Sequence, residues 1–199
     1  MKIGSLIIGN KPDFIIIGAQ KGGTSSLFNY LSQHSQIQLP SVKEIHFFDY
    51  NYGKGIEWYR KQFPGKFIRL KITGEASPYY LFHPLVPQRV FSCCPNAKFI
   101  VLLRNPVDRA YSHFMMEKKR GDEPLTFEEA INIEPQIINN EENKIINNPE
   151  YRSISHQRSS YLARGMYYSQ IKRWLNYFPK KQFLFIKSES FLFSALFLS

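Results

Sequence analysis

Phe14-Ile-Ile-Ile-Gly18-Ala-Gln-Lys21-Gly-Gly-Thr-Ser-Ser26 decides the fold. A phenylalanine and three isoleucines in a row read as a strand buried on both faces. The strand runs through a glycine-rich turn straight into a helix beginning near Thr24. Gly18, Gly22 and Gly23 permit tight turns and let backbone N–H groups approach an anion, and the helix N-terminus adds its dipole. The spacing Gly18-x-x-x-x-Gly23 matches a P-loop, but Thr24 and Ser25 follow where an ATPase or GTPase loop carries Lys and then Ser or Thr. The cation is Lys21, inside the loop. These residues predict a nucleotide-phosphate cradle and argue against an ordinary Mg-ATP site.

Further strands and helices alternate outward from this stretch. Thr24 to Gln33 is predicted helical, with Leu27, Phe28 and Leu31 on one face, and Ile37 and Leu39 suit a short extended segment. Gly55 to Phe63 reads as a short helix, Phe67 to Gly74 as a strand, Val86 to Ser92 as a helix, and Lys98 to Leu103 as a second buried strand. Pro106 suits the first position of a helix reaching about Lys119. Thr126, with Glu129 three residues on, caps a short helix to Ile133; the rest of 126–160, rich in Asn, Ile, Glu and Ser, is expected to be mostly a mobile connection. Tyr161 to Tyr177 reads as helix and Gln182 to Lys187 as strand. Strand and helix in alternation argue an α/β fold with a central, mostly parallel sheet flanked by helices, P-loop-like in three layers. Ligands in such folds bind at the carboxyl ends of the strands.

At 199 residues the chain has room for one core and little for a second complete domain, so residues 1–199 are expected to form a single domain. A formal charge of +10 points to an anionic partner. No zinc spacing, basic heptad helix or aromatic RNA-binding strand accompanies that charge, so nucleic acid is not expected. Cys93 and Cys94 are adjacent, which rules out a disulfide framework and favours a reducing, cytoplasmic setting. Ile3 to Ile8 is too short and too interrupted for a signal peptide, and no apolar run is long enough to span a membrane. The residues carry no signal of oligomeric state.

Two more groups carry chemistry. Leu103-Arg104-Asn-Pro-Val-Asp108-Arg109-Ala-Tyr-Ser112-His113 follows a strand and opens a helix, so Arg104 and Ser112 can converge on a second phosphate. Lys43-Glu44-Ile-His46-Phe-Phe-Asp49 packs four ionisable groups among apolar residues, and a partly desolvated carboxylate beside His46 suits a general base.

Together, GAQKGGTSSL, KEIHFFD, GEASPYYL, LRNPVDRAYSHF and YLARGMYYSQIKRWLNYFP resemble the sulfotransferases that use 3'-phosphoadenosine 5'-phosphosulfate (PAPS), in particular the heparan sulfate N- and O-sulfotransferases and their bacterial relatives. The motifs span roughly residues 12 to 187 in matching order. The resemblance implies that Lys21, Gly22, Gly23, Thr24 and Ser25 bind the 5'-phosphosulfate and that Arg104 and Ser112 bind the 3'-phosphate. It implies Glu44 as catalytic base, with Lys21 and His46 assisting, and Lys43, Asp49, Ser77, Pro78 and Tyr79 at the acceptor side. PAPS is then the co-substrate and no metal is needed. The acceptor is a small molecule, lipid or carbohydrate bearing a hydroxyl or amine.

Two departures from the pattern qualify this. Ala76 stands where several heparan sulfate enzymes carry lysine. Family members continue past the strand at 182–187 into a basic, glycine-containing loop over the nucleotide, whereas this chain stops at Ser199 after the apolar Phe191-Leu-Phe-Ser-Ala-Leu-Phe-Leu. The C-terminus is therefore expected to be truncated or altered, and a catalytically impaired nucleotide-binding remnant of the same fold is the alternative.

Overall fold

The core is one sheet of five parallel strands in the order β2-β3-β1-β4-β5. It is seen in a computed structural model that describes residues 11–64 and 71–191. In the centre lies β1 (Phe14–Gly18), every residue buried. It pairs on one side with β3 (Ile72–Ala76) and on the other with β4 (Lys98–Leu103). The edges are β2 (Ile37–Gln38) and β5 (Phe183–Lys187). After β3 the chain passes to the far side of β1 to form β4, so the carboxyl end of β1 lies at a topological switch point, where open α/β sheets bind ligands.

Strand geometry explains why both faces of β1 are apolar, since successive side chains point to opposite faces. Ile15 and Ile17 join Phe47, Phe48, Tyr59, Tyr80, Phe99, Val101, Trp174 and Phe178 in the larger cluster. Phe14 and Ile16 join Leu27, Phe28, Ala76 and Leu102 in the second. Each fully buried isoleucine of this kind contributes about 1.5–3 kcal/mol.

The helices are α1 (Thr24–Ser32), α2 (Gly55–Arg60), α3 (Val86–Cys93), α4 (Pro106–Arg120), α5 (Phe127–Ile137), α6 (Glu141–Asn147), α7 (Ile154–Arg158) and α8 (Tyr167–Leu175). Asn105 caps α4 by accepting from the Val107 and Asp108 amides, Pro106 opens it, and left-handed Gly121 closes it. The expected capping box of Thr126 and Glu129 starts α5. No helix among the described residues is long and apolar enough to cross a membrane.

Two stretches differ from the sequence expectation. Within 126–160, where one short helix and an irregular connection were expected, α5 continues past Pro135 and α6 and α7 follow. Their support is tertiary. Glu141 accepts from Tyr151 and Ser153, and Glu134 receives the amides of Leu162 and Ala163 at 2.6 and 2.8 Å. Such contacts override weak periodicity. Between 161 and 177 one continuous helix was expected, but a 3-10 turn at Ala163–Gly165 precedes α8. Gln170 ties the break by donating to the carbonyls of Arg164 and Met166 at 3.0 and 3.1 Å. Of the expected strand Phe67 to Gly74, residues 67–70 lie outside the described residues, as do Ile3 to Ile8 and residues 192–199, while β3 begins at Ile72 and runs on to Ala76.

Gly22 sits against backbone: a Cβ there would lie 2.7 Å from the Leu102 carbonyl oxygen and 2.9 Å from that of Ala19. Neither oxygen belongs to a side chain that can rotate away. Gly22→Ala is expected to lower stability by about 1–3 kcal/mol, the usual cost of overpacking, measured as the urea midpoint; an unchanged midpoint would mean that the loop shifts freely.

Candidate active site

The sheet and α1 build the loop between them. Ala19 N donates to Leu102 O at 2.8 Å, and Gly22 N donates to Ala19 O at 2.9 Å. Lys21 takes left-handed backbone at φ 68, and Gly23, the residue before α1, does so at φ 95. The Leu27 amide makes the first bond of the helix, to Gly23 O at 3.1 Å. The amides of Thr24, Ser25 and Ser26 precede it and have no partner within the helix. Outside grips hold the loop: Arg104 Nη1 donates to Lys21 O at 3.2 Å, Ser188 Oγ to Gly22 O at 2.8 Å, and Arg164 to the Gln20 side chain. Ser188 and Arg164 were not anticipated as loop supports, although Arg164 lies within a recognised motif.

Above the loop lies a cleft of about 340 Å³. It brings together Lys21, Gly23, Thr24, Ser25, Lys43, Glu44, Pro78, Arg104 and Ser112, all expected, with Gln20, Met116 and Arg120, which were not. A second cleft of about 460 Å³ between the ends of β4 and β5 shares Arg104 and is also lined by Tyr167 and Lys187. Gly22 lies beneath the loop rather than on the cleft wall. Ser77 and Tyr79 are 0% and 3% exposed. They were expected on the acceptor side but stand behind the wall, because their hydroxyls are engaged there: Ser77 with Glu75, and Tyr79 with His156 Nδ1 at 2.7 Å. Asp49 is buried too, behind His46.

Four cations, Lys21, Lys43, Arg104 and Arg120, line the main cleft with one carboxylate, Glu44. Partial burial lowers the pKa of Lys21, and Arg120 and Arg104 lower it further. An anion seated among these groups relieves their mutual repulsion, so the cleft is built for negative charge.

On the opposite wall stands a chain of charges. Lys43 Nζ lies 2.5 Å from Glu44 Oε1, Glu44 Oε2 lies 3.4 Å from His46 Nε2, and His46 Nδ1 lies 2.6 Å from Asp49 Oδ2. Burial opposes charge on Glu44 and His46, but the contacts win. The bond from His46, with help from Lys43, brings the Glu44 carboxyl down to about 2. Hydrogen bonds to Asp49 and Glu44 push the His46 imidazole up to about 10. At neutral pH Glu44 is a carboxylate and His46 an imidazolium.

Behind it lies Glu75, 0% exposed. Although it falls within the quoted GEASPYYL motif, sequence reasoning gave it no role. Burial raises its carboxyl to about 7, with Asp49 adding to the rise and hydrogen bonds from Tyr59 and Ser77 opposing it.

This geometry is that of a sulfotransferase domain: residues 11–191 match the sulfotransferase domain family, and the chain belongs to it. It is 34% identical over 182 residues to heparan sulfate glucosamine 3-O-sulfotransferase 5 of Homo sapiens, covering 89% of this chain and 48% of that protein. To membrane-associated sulfotransferase kil1 of Dictyostelium discoideum it is 39% identical over 163 residues, covering 77% and 34%. The crystal structure of a sulfotransferase from Alicyclobacillus acidocaldarius superposes with a TM-score of 0.73 at 34% identity, over 95% of this chain and 78% of that one. The chain thus spans about half the length, or less, of these two curated relatives.

Two titrations check the electrostatics. By NMR, the His46 ring should keep its proton through neutral pH and lose it near pH 10; a midpoint near 6.5 would contradict the ion-pair row. Glu75 favours the fold most below the ordinary carboxyl range and loses that contribution as pH rises through about 7. The facing groups are Tyr59, Tyr80, Asp49, His46 and Cys94. The stability of Glu75→Gln relative to the wild type should therefore rise by on the order of 3 kcal/mol between pH 4 and 8, measured by denaturant unfolding; a flat difference would contradict the raised pKa.

Proposed function

We propose that this chain transfers a sulfuryl group from PAPS to a hydroxyl or amine of an acceptor, with Glu44 as general base. The observation that carries the reading is the single cleft in which the α1 amides, Lys21 and Arg104 face Glu44. The cradle fits a phosphorylated donor: the open N-terminus of α1 and four cations surround the cleft, with one carboxylate among them. In this reading the amides of Gly23, Thr24 and Ser25 and the Lys21 ammonium hold the 5'-phosphosulfate, while Arg104 and Ser112 hold the 3'-phosphate.

The donor supplies a sulfur already bonded to a phosphate oxygen that can leave. An acceptor oxygen or nitrogen bonds to that sulfur as the phosphate oxygen departs, and Glu44 takes the acceptor proton. Glu44 is ionised at neutral pH, the state a base requires. Lys21 faces the charge that grows on the departing phosphate. His46, held as imidazolium between Glu44 and Asp49, orients the Glu44 carboxylate. Lys43, beside Glu44 on the cleft wall, favours an acceptor with negative groups of its own. A sulfated or carboxylated carbohydrate meets that condition, in keeping with the heparan sulfate named for one relative. The free thiols of Cys93 and Cys94 accord with a reducing, cytoplasmic setting.

Calorimetry should detect binding of adenosine 3',5'-bisphosphate, and mass spectrometry should detect one sulfuryl group added to an acceptor supplied with PAPS. Lys21→Ala and Glu44→Gln should each lower turnover by about a hundredfold or more. Near-normal turnover in Glu44→Gln removes Glu44 from the base role, and nucleotide binding without any transfer identifies a non-catalytic remnant.

A further inference from the structure

Glu44 and His46 both sit in left-handed backbone, at φ 64 and 51. Residues with a Cβ hold that conformation only where the surroundings impose it. The carbonyls at the far end of this segment are gripped by Arg89, whose Nη1 donates to Phe48 O and Asp49 O at 2.8 and 2.9 Å. At the near end, the Glu44 amide donates to Ala76 O at 2.9 Å. The amides between them go to two hydroxyls. His46 N donates to Ser77 Oγ at 3.4 Å, and Phe47 N and Phe48 N donate to Tyr80 OH at 2.8 and 3.2 Å.

Both hydroxyls then pass their own protons to the same group. Ser77 Oγ donates to Glu75 Oε2 at 2.9 Å, Tyr80 OH to Glu75 Oε1 at 3.3 Å, and Tyr59 OH to Oε1 at 2.5 Å. A hydroxyl rotor can point its proton either way. With the proton drawn to the carboxylate, its lone pairs turn toward the backbone amides, and the amides of 46–48 are received.

We infer that Glu75 is a positioning residue: it orients the Ser77 and Tyr80 hydroxyls so that they receive the amides of His46, Phe47 and Phe48, and thereby holds Glu44 on the cleft wall with His46 beside it. The bonds that make up this network include none from Lys21 to Ser25, so the anion loop is held independently. A glutamine at 75 keeps the size but offers one oxygen and one N–H₂. At least one hydroxyl must then turn round and present its proton to an amide.

The kinetic part of this inference rests on the sulfuryl-transfer reading, and the spectroscopic part does not. In Glu75→Gln, the His46 imidazole is expected to lose its proton about one pH unit lower or more as its two carboxylate contacts loosen. The amide signals of Gly22 and Gly23 should stay where they are in the wild type. Turnover should fall about tenfold to a hundredfold, the scale for a displaced catalytic group, with KM for PAPS unchanged. An unshifted His46 titration in folded Glu75→Gln overturns the inference. So does a His46 shift accompanied by equal displacement of Gly22 and Gly23, which marks general loosening of the fold. Should Glu75→Gln not fold, Ser77→Ala and Tyr80→Phe each cut one tether and are judged by the same two signals. Absence of sulfuryl transfer in the wild type defeats the proposed function and leaves these spectroscopic outcomes to decide on Glu75.

Discussion

The site depends on the seating of one loop on the end of β4. Ala19 bonds to the Leu102 carbonyl, and Gly22 returns so close to the same oxygen that a methyl group would not fit. Two residues further along, Arg104 leaves the strand and grips Lys21 O. The amides at the start of α1 and the Arg104 guanidinium, proposed above to hold the two phosphates, therefore belong to one hydrogen-bonded unit, set by the register between β1 and β4. A preorganised unit of this kind does not have to reorganise when charge develops in the cleft.

Facing that unit is a wall with its own internal order. Lys43, Glu44, His46 and Asp49 lie in a row of contacts that keeps Glu44 and His46 ionised against the cost of burial. The row is supported from behind by Glu75, Ser77 and Tyr80, none of which lines the cleft.

Much of this was legible in the residues because it is local. Strand β1, the glycine turn, the Asn105-Pro106 helix start and the Thr126/Glu129 capping box are each written within a few consecutive positions. The long-range supports were not. Nothing near Ser188 says that its hydroxyl will hold Gly22, and Arg120, at the far end of α4, reaches the cleft only through the helix's direction. Helices α6 and α7 were missed because Glu141, Tyr151 and Ser153 supply what periodicity lacks. Ser77 and Tyr79 were expected on the acceptor side, but they are buried on partners at Glu75 and His156 that sequence spacing does not reveal.

The most direct measurement is a crystal structure of the chain with adenosine 3',5'-bisphosphate. The account predicts the 5'-phosphate on the amides of Gly23, Thr24 and Ser25 with Lys21 beside it, and the 3'-phosphate between Arg104 and Ser112. A nucleotide bound in the reverse orientation, or away from the loop, would contradict it.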